Sequence, residues 1–205
     1  MIDTVAVIDF ETTGMSPDMG DRATEVAVVI VDGGRIVDRY QSLMNTGAYI
    51  SAFIEELTGI SNAMVRHAPP AKQVMQELAA FVGSVPLVAH NATFDSRFLD
   101  AEFARIGHQR GQQFACSMLL SRRIYPAAPD HKLGTLVRHL GLPQAARHHR
   151  ALADAEMTAH LWLRMLSDIQ TQHSLHTASH EFLRSLQKIS KAKMAAYIEK
   201  ARLNV

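Results

Sequence analysis

The sequence predicts an α/β domain built on a mixed sheet, and three observations carry that reading. An apolar run rich in β-branched residues opens the chain. Two more strand-like runs follow, joined by a glycine turn. Helical and strand-like patterns then alternate, and a meander followed by such alternation is the pattern of a mixed sheet.

Residues 4–10 (TVAVIDF) read as a buried strand, and residues 25–31 (EVAVVIV) as a second. Asp32, Gly33 and Gly34 supply a hairpin turn, with residues 35–43 as the partner strand. Residues 51–57 read as a short helix with Ser51 as N-cap. Pro69 and Pro70 open a helix through Val82, with Val74, Leu78, Phe81 and Val82 apolar. Residues 85–89 form a strand, and 94–106 a helix with Phe94, Phe98, Leu99 and Phe103 on one face, ended by Gly107. A short strand is expected at 114–117 and a helix at 133–140, stopped by Gly141 and Pro143. Residues 151–166 form a strongly patterned helix. The unit ends near Ile169, the polar residues 170–179 read as a linker, and 181–202 as one amphipathic helix. The expected division is therefore 1–169 and 170–205.

Apolar residues make up 47% of the 205 and charged residues 20%, the balance of a water-soluble globular chain that can bury a full core. The single cysteine, Cys116, excludes an intramolecular disulfide and any cysteine-based zinc cluster. No basic leader and no run of 18 apolar residues precedes the first strand, so secretion and membrane insertion are not expected and the cytoplasm is the default. Net charge is only +1, but residues 168–205 carry six Lys or Arg against three acids, leaving the preceding body near −2. Such a tail reads as a solvated amphipathic helix or as a contact to phosphates.

Asp9 and Glu11 stand two apart at the end of the first strand, so both point to one face. Two like charges there repel and lose hydration, and a divalent cation reverses that penalty. The plain alternative is a strand that ends at Phe10 with both acids solvated. Asp95 follows a strand and opens a helix, where an acid is also favoured by the helix dipole. His149 and Asp154 lie in HRALADAEMT, ahead of and within a helix start, and the small Ala151, Ala153 and Ala155 permit close approach. Any of these alone is a common surface feature. Together, four carboxylates and a histidine supply what phosphodiester hydrolysis requires. Two Mg²⁺ or Mn²⁺ ions about 4 Å apart clamp the attacking and leaving oxygens in such sites. Carboxylate oxygens suit those hard ions and not zinc. Histidine, titrating near neutrality, suits the general base.

The segments DFETTG, HNATFD and HRALAD, in that order over residues 4–166, resemble the three motifs of the DEDDh exonucleases. Leu57-Thr58-Gly59-Ile60 and Leu133-Gly134-Thr135-Leu136 are similar as well. That family includes the proofreading epsilon subunit of bacterial replicative polymerases. The resemblance implies a ribonuclease-H-like fold with a five-stranded mixed sheet flanked by helices, here with a helical C-terminal extension. It implies that Asp9, Glu11 and Asp154 ligate the metals, that Asp95 holds the second through water, and that His149, not His148, takes the proton from water. Thr12, Thr13 and Gly14 would border the terminal nucleotide, with Leu57 and Phe94 against its sugar and base. His90 and Asn91 read as structural hydrogen-bonding residues. The chain departs at Thr58, where many members carry His. The activity implied is 3′→5′ hydrolysis at the end of a single or frayed strand, DNA favoured over RNA, with a DNA polymerase as a partner. The same chemistry on RNA, or a binding module without turnover, are the alternatives.

Overall fold

In the computed structural model, which describes residues 3–144, 149–173, 175 and 178–203, a five-stranded sheet separates two layers of helices. Strands β1 (Val5–Thr12), β2 (Ala23–Asp32) and β3 (Arg35–Leu43) form the expected antiparallel meander. Strands β4 (Leu87–Ala89) and β5 (Phe114–Cys116) add in parallel on the other side of β1, giving the order β3-β2-β1-β4-β5.

β1 is central and buried on both faces, which is why residues 5–8 are apolar without alternation. Its side chains still divide by parity. Val5 and Val7 join the core under the long helix α7 (Ala151–His173), where Ala155, Ala159 and Trp162 pack. Ala6, Ile8 and Phe10 join the opposite core, shared with helices α3 (Ala71–Val82) and α4 (Ala92–Arg105). Asp9 and Glu11 continue the odd series, so the same alternation carries them to the α7 side at the strand's end. Trp162 is 1% exposed, and its truncation to Ala costs about 3–5 kcal/mol for a side chain of this size.

Between β3 and β4, α1 (Ala52–Thr58) is capped by Ser51, whose side chain accepts the Ile54 N–H at 3.3 Å. It runs one residue past Leu57 because the Thr58 hydroxyl donates to Ile54 O at 2.8 Å before Gly59 turns left-handed. A further short helix, α2 (Asn62–Arg66), has Ser61 as its cap and has no counterpart in the sequence reading. The fourth strand is shorter than residues 85–89 and begins at Leu87. α4 begins at Ala92, not Phe94, because Asn91 takes the left-handed conformation (φ 71°) that Asn tolerates. A strand followed at once by helix α5 (Ser117–Ile124) replaces the strand expected over 114–117. α6 (Leu133–His139) lies as expected, one residue short.

α7 runs on to His173, so the first residues of the expected linker are helical. Tyr125 and Arg164 both bond Asp168 there, at 2.7 and 2.9 Å, and Ile169 continues the buried stripe. The single helix expected over 181–202 is instead two, α8 (His180–Leu186) and α9 (Met194–Leu203), joined through a 3₁₀ turn at Lys191–Lys193. Ser190 is extended (φ −66°, ψ 151°) and interrupts the helical run. Leu175, Ala178, Leu183, Leu186 and Ile198 are buried in the same cluster as Val5 and Trp162. α8 lies along the outer side of β5: Gln187 Oε1 accepts the Cys116 N–H at 2.7 Å, and the His180 ring meets Leu87 O at 2.9 Å. Among the described residues no helix is long and apolar enough to cross a membrane.

Candidate active site

Two layers meet at the C-terminal end of β1. From one side α7 brings Asp154, which follows Ala151 by three residues and so shares its buried stripe. From the other, α4 brings the buried Asp95, whose Oδ1 accepts the Phe10 N–H at 3.2 Å. Asp9, Glu11 and Asp154 each offer a carboxylate oxygen, and these lie within 4.8 Å of one another. Asp95 stands beside that trio and not within it. The four acids expected to converge therefore do so, three of them close enough to share one ion.

The electrostatics show what such an assembly lacks. Burial, and after it the charges of Asp95, Asp154, Glu11 and Glu25, hold the Asp9 carboxyl well above the usual carboxylate range. Glu11 is pushed up to about 8, by burial first and then by Asp154 and Glu25. Asp95 is pushed up to about 8 by burial, against the opposing Phe10 N–H. Unaided, the site cannot carry its full negative charge near neutral pH. An all-oxygen donor set at that spacing, raised in pKa for want of a counter-charge, fits a divalent cation of the Mg²⁺ type.

Two cavities flank the carboxylates. One, of about 410 Å³, is lined by Asp9, Asp154 and His149 together with His90, Lys132, Thr135 and Arg138. His149 is exposed and left-handed (φ 59°), a conformation uncommon outside glycine and one that gathers at functional sites. Its N–H donates to Asp154 Oδ2 at 3.2 Å, which ties the loop to an acid of the carboxylate trio. His148 and Arg147, which belong to the same basic stretch, lie outside the described residues. The second cavity, of about 370 Å³, is an apolar slot with Glu11 at its edge. Thr12, Thr13, Gly14, Leu57 and Phe94 all line it, so the five residues expected to border a terminal nucleotide meet in one place. Met15 and Phe53, 75% and 71% exposed, complete its walls. Neither is marked by any motif; an apolar residue in a turn and one on a short helix carry no signal until the fold brings them together.

The slot wall is fixed from behind. Arg22 makes two bonds to the buried Glu102 of α4, at 2.7 and 2.8 Å, and its N–H donates to Thr13 Oγ1 at 3.0 Å. Asp21 accepts the Ser16 N–H at 2.9 Å and fills the space beside Gly14, where a Cβ would lie 2.4 Å from its carboxylate. The Thr58 hydroxyl donates to Ile54 O and accepts the Ile60 N–H at 3.1 Å, so it is spent inside the chain. His90 is structural in its bonding, as expected: one ring nitrogen meets Ser117 Oγ and the other His131 O, each at 2.9 Å.

The exonuclease family model RNase_T matches residues 6–162, a span that takes in every acid of the site. The chain belongs to this exonuclease family. Within it, the described motifs are those of the DEDDh class, and the fold is ribonuclease-H-like. The exonuclease domain is 38% identical to part of a DNA polymerase III PolC-type of Bacillus cereus, over 82% of this chain and 12% of that protein. It is 36% identical to part of the 3′-5′ exonuclease DinG of Bacillus subtilis, over 88% of this chain and 20% of that one. The chain thus spans a fifth or less of the length of these curated relatives. Among solved structures it resembles exonuclease X in complex with 5′ overhanging duplex DNA, with TM-score 0.66 and 27% identity over 97% of this chain and 99% of that one. The nuclease domain of 3′hExo, a DEDDh member bound to rAMP, shares the fold with TM-score 0.71 and 23% identity over 81% and 92% of the two chains.

Proposed function

We propose that this domain is a metal-dependent 3′→5′ exonuclease that hydrolyses the last phosphodiester of single-stranded or frayed DNA and releases nucleoside 5′-monophosphates. The observation that carries the reading is the convergence of Asp9, Glu11 and Asp154 beside an apolar slot of nucleoside size. Residues 1–169 form the catalytic unit in this reading, and 170–205 an appendage.

Two Mg²⁺ or Mn²⁺ ions bound by Asp9, Glu11 and Asp154, with Asp95 behind them, would supply Lewis acidity to the phosphoryl and leaving oxygens. The chain's own residues do the rest. Leu57, Phe94 and Phe53 receive the terminal base and sugar, and the backbone of Thr12, Thr13 and Gly14 closes around the deoxyribose. A slot for one nucleoside at the end of a strand selects a free terminus over an internal linkage. His149 removes the proton as a water oxygen bonds to phosphorus; the P–O3′ bond breaks, and the departing O3′ takes up a proton. The PolC-type relative supports a DNA substrate and a polymerase as partner, the DinG relative supports the 3′→5′ exonuclease activity, and the cytoplasm remains the place of work in this reading.

The test is a labelled oligonucleotide with Mg²⁺ or Mn²⁺, run as matched DNA and RNA. Mononucleotide release from the DNA end, stopped by excess EDTA, is the expected result. Faster release from RNA would reassign the substrate. Binding without hydrolysis in the presence of metal, or a wild-type rate in Asp9→Ala, would overturn the reading.

A further inference from the structure

The two cavities beside the carboxylates differ in charge. No lysine or arginine lines the apolar slot. The other cavity is lined by Lys132 and Arg138 together with Asp9 and Asp154. Both cations are exposed, and none of the salt bridges among the described residues uses either. Their backbone is nonetheless held. The Lys132 N–H donates to Asp130 Oδ1 at 2.8 Å, and the half-buried His90 ring fixes the preceding carbonyl, His131 O, at 2.9 Å. Arg138 lies on α6, whose Leu136 and Val137 are fully buried.

A strand cleaved one nucleotide from its 3′ end divides its charge unevenly. The terminal nucleoside is neutral and the scissile phosphate sits on the carboxylates. Every other charge lies on the 5′ side. A cation-free slot suits the first part, and a cationic cavity suits the last.

We propose that Lys132 and Arg138 bind the phosphates immediately 5′ of the scissile bond, so that the strand enters through the cationic cavity and ends in the apolar slot. This rests on the exonuclease reading and adds the direction of the strand and two residues that make the enzyme prefer a polynucleotide. Neither residue is a catalytic one: each acts on binding, and through phosphates that do not react.

The test compares two substrates. One is a 5′-labelled single-stranded oligodeoxynucleotide. The other is the p-nitrophenyl ester of thymidine 5′-monophosphate, which keeps the terminal nucleoside and scissile phosphate but has no upstream strand. For a double variant, Lys132→Gln with Arg138→Gln, the ratio of kcat/KM on the oligonucleotide to kcat/KM on the ester should fall about tenfold or more, through KM. The salt slope of oligonucleotide binding, measured in EDTA, should become shallower by about 1.4, at ~0.7 for each lost phosphate contact on a single strand. Lys132→Arg with Arg138→Lys should retain both values. Equal losses on the two substrates would overturn the proposal, placing the cations on the scissile phosphate or the released nucleotide. An unchanged ratio and slope would overturn it as well. Should the wild type hydrolyse neither substrate, the exonuclease reading fails, and the salt slope in EDTA still decides whether these cations hold a strand.

Discussion

The buried Glu25 on β2 and the half-buried Arg150 at the head of α7 form an ion pair across 125 residues of sequence, with N···O distances of 2.7 and 3.1 Å. Glu25 stands directly opposite Glu11 in the β1–β2 register, so the sheet places two like charges side by side. Burial alone would raise the Glu25 carboxyl. Hydrogen bonds from Arg150, the Ala151 N–H and Gln41 outweigh it and hold the group below its usual range. Glu25 therefore stays charged while Glu11 waits for a cation. The same carboxylate accepts the Ala151 N–H and so fixes the start of α7, two residues beyond His149.

Arg150→Ala should accordingly cost both stability and rate. It strands a buried carboxylate, which costs about 3 kcal/mol when one partner of such a pair is removed, and in a chain of this size 1 kcal/mol lowers Tm by about 2–4 °C. Turnover should fall by more than KM rises, because the loop that presents His149 loses its anchor. Calorimetry with steady-state kinetics checks this; a Tm within 1 °C of wild type would show that the pair contributes nothing.

Asp9→Asn should separate function from stability. Turnover should fall by about 10³ or more, as when a group acting only in the transition state is removed. The metal-free protein should gain about 1 kcal/mol, because a buried carboxylate facing four other acids (Asp95, Asp154, Glu11 and Glu25) is replaced by a neutral amide. Thermal melts in EDTA and in excess Mn²⁺ test both parts. Wild type should rise in Tm on adding metal and the variant should rise less; equal metal-induced shifts would remove Asp9 from the ligand set.

Gly14→Ala should damage the slot without touching the carboxylates. The added methyl would lie 2.4 Å from the Asp21 carboxylate, so either Asp21 releases Ser16 or the 13–16 backbone moves outward. A kcat/KM about tenfold lower is expected, since small displacements of positioning groups are amplified in rate. A wild-type value would show that Gly14 does not border the substrate. Gly14→Ala combined with Asp21→Ala should recover part of the loss.

His90 predicts an acid-sensitive fold. Burial holds its ring down to about 4, with only partial opposition from the His131 carbonyl. Unfolded, it takes up a proton as pH falls through about 6.5, while the folded ring does not until about 4. Its stabilising effect is whole above 6.5 and is lost progressively between 6.5 and 4, by at most about 3 kcal/mol. Asp9, Glu11 and Asp95 act in the opposite direction, so the quantity to measure is the difference between wild type and His90→Gln in urea midpoint at pH 7 and pH 4.5. Parallel curves for the two proteins would refute the assignment.

Much of this architecture is written locally. TVAVIDF gives a buried strand, its period of two puts Asp9 and Glu11 on one side, and Ala151–Ala155–Ala159 marks the helix face that meets them. No spacing brings Asp154, some 145 residues away, to the pair; that expectation rests on the chemistry the four carboxylates and a histidine supply together and on the resemblance to a family. Glu25 reads as an ordinary strand start, because its role depends on the register of β1 against β2, which no single run discloses. Met15 and Phe53 are slot walls only by tertiary approach. α5 was hidden behind a short strand, and the interruption at Ser190 lies in a run whose apolar spacing continues on both sides of it.

The two rims of the sheet are protected by different means. β3 is studded with Arg35, Asp38 and Arg39, charges that discourage a stranger's backbone. β5 has no such guard; it is only three residues long, and the Gln187 amide occupies its outward N–H at Cys116. Solubility thus depends on α8 remaining docked. A change that loosens it, at His180 or Leu183 for instance, would turn β5 into a template for self-association while leaving every carboxylate in place.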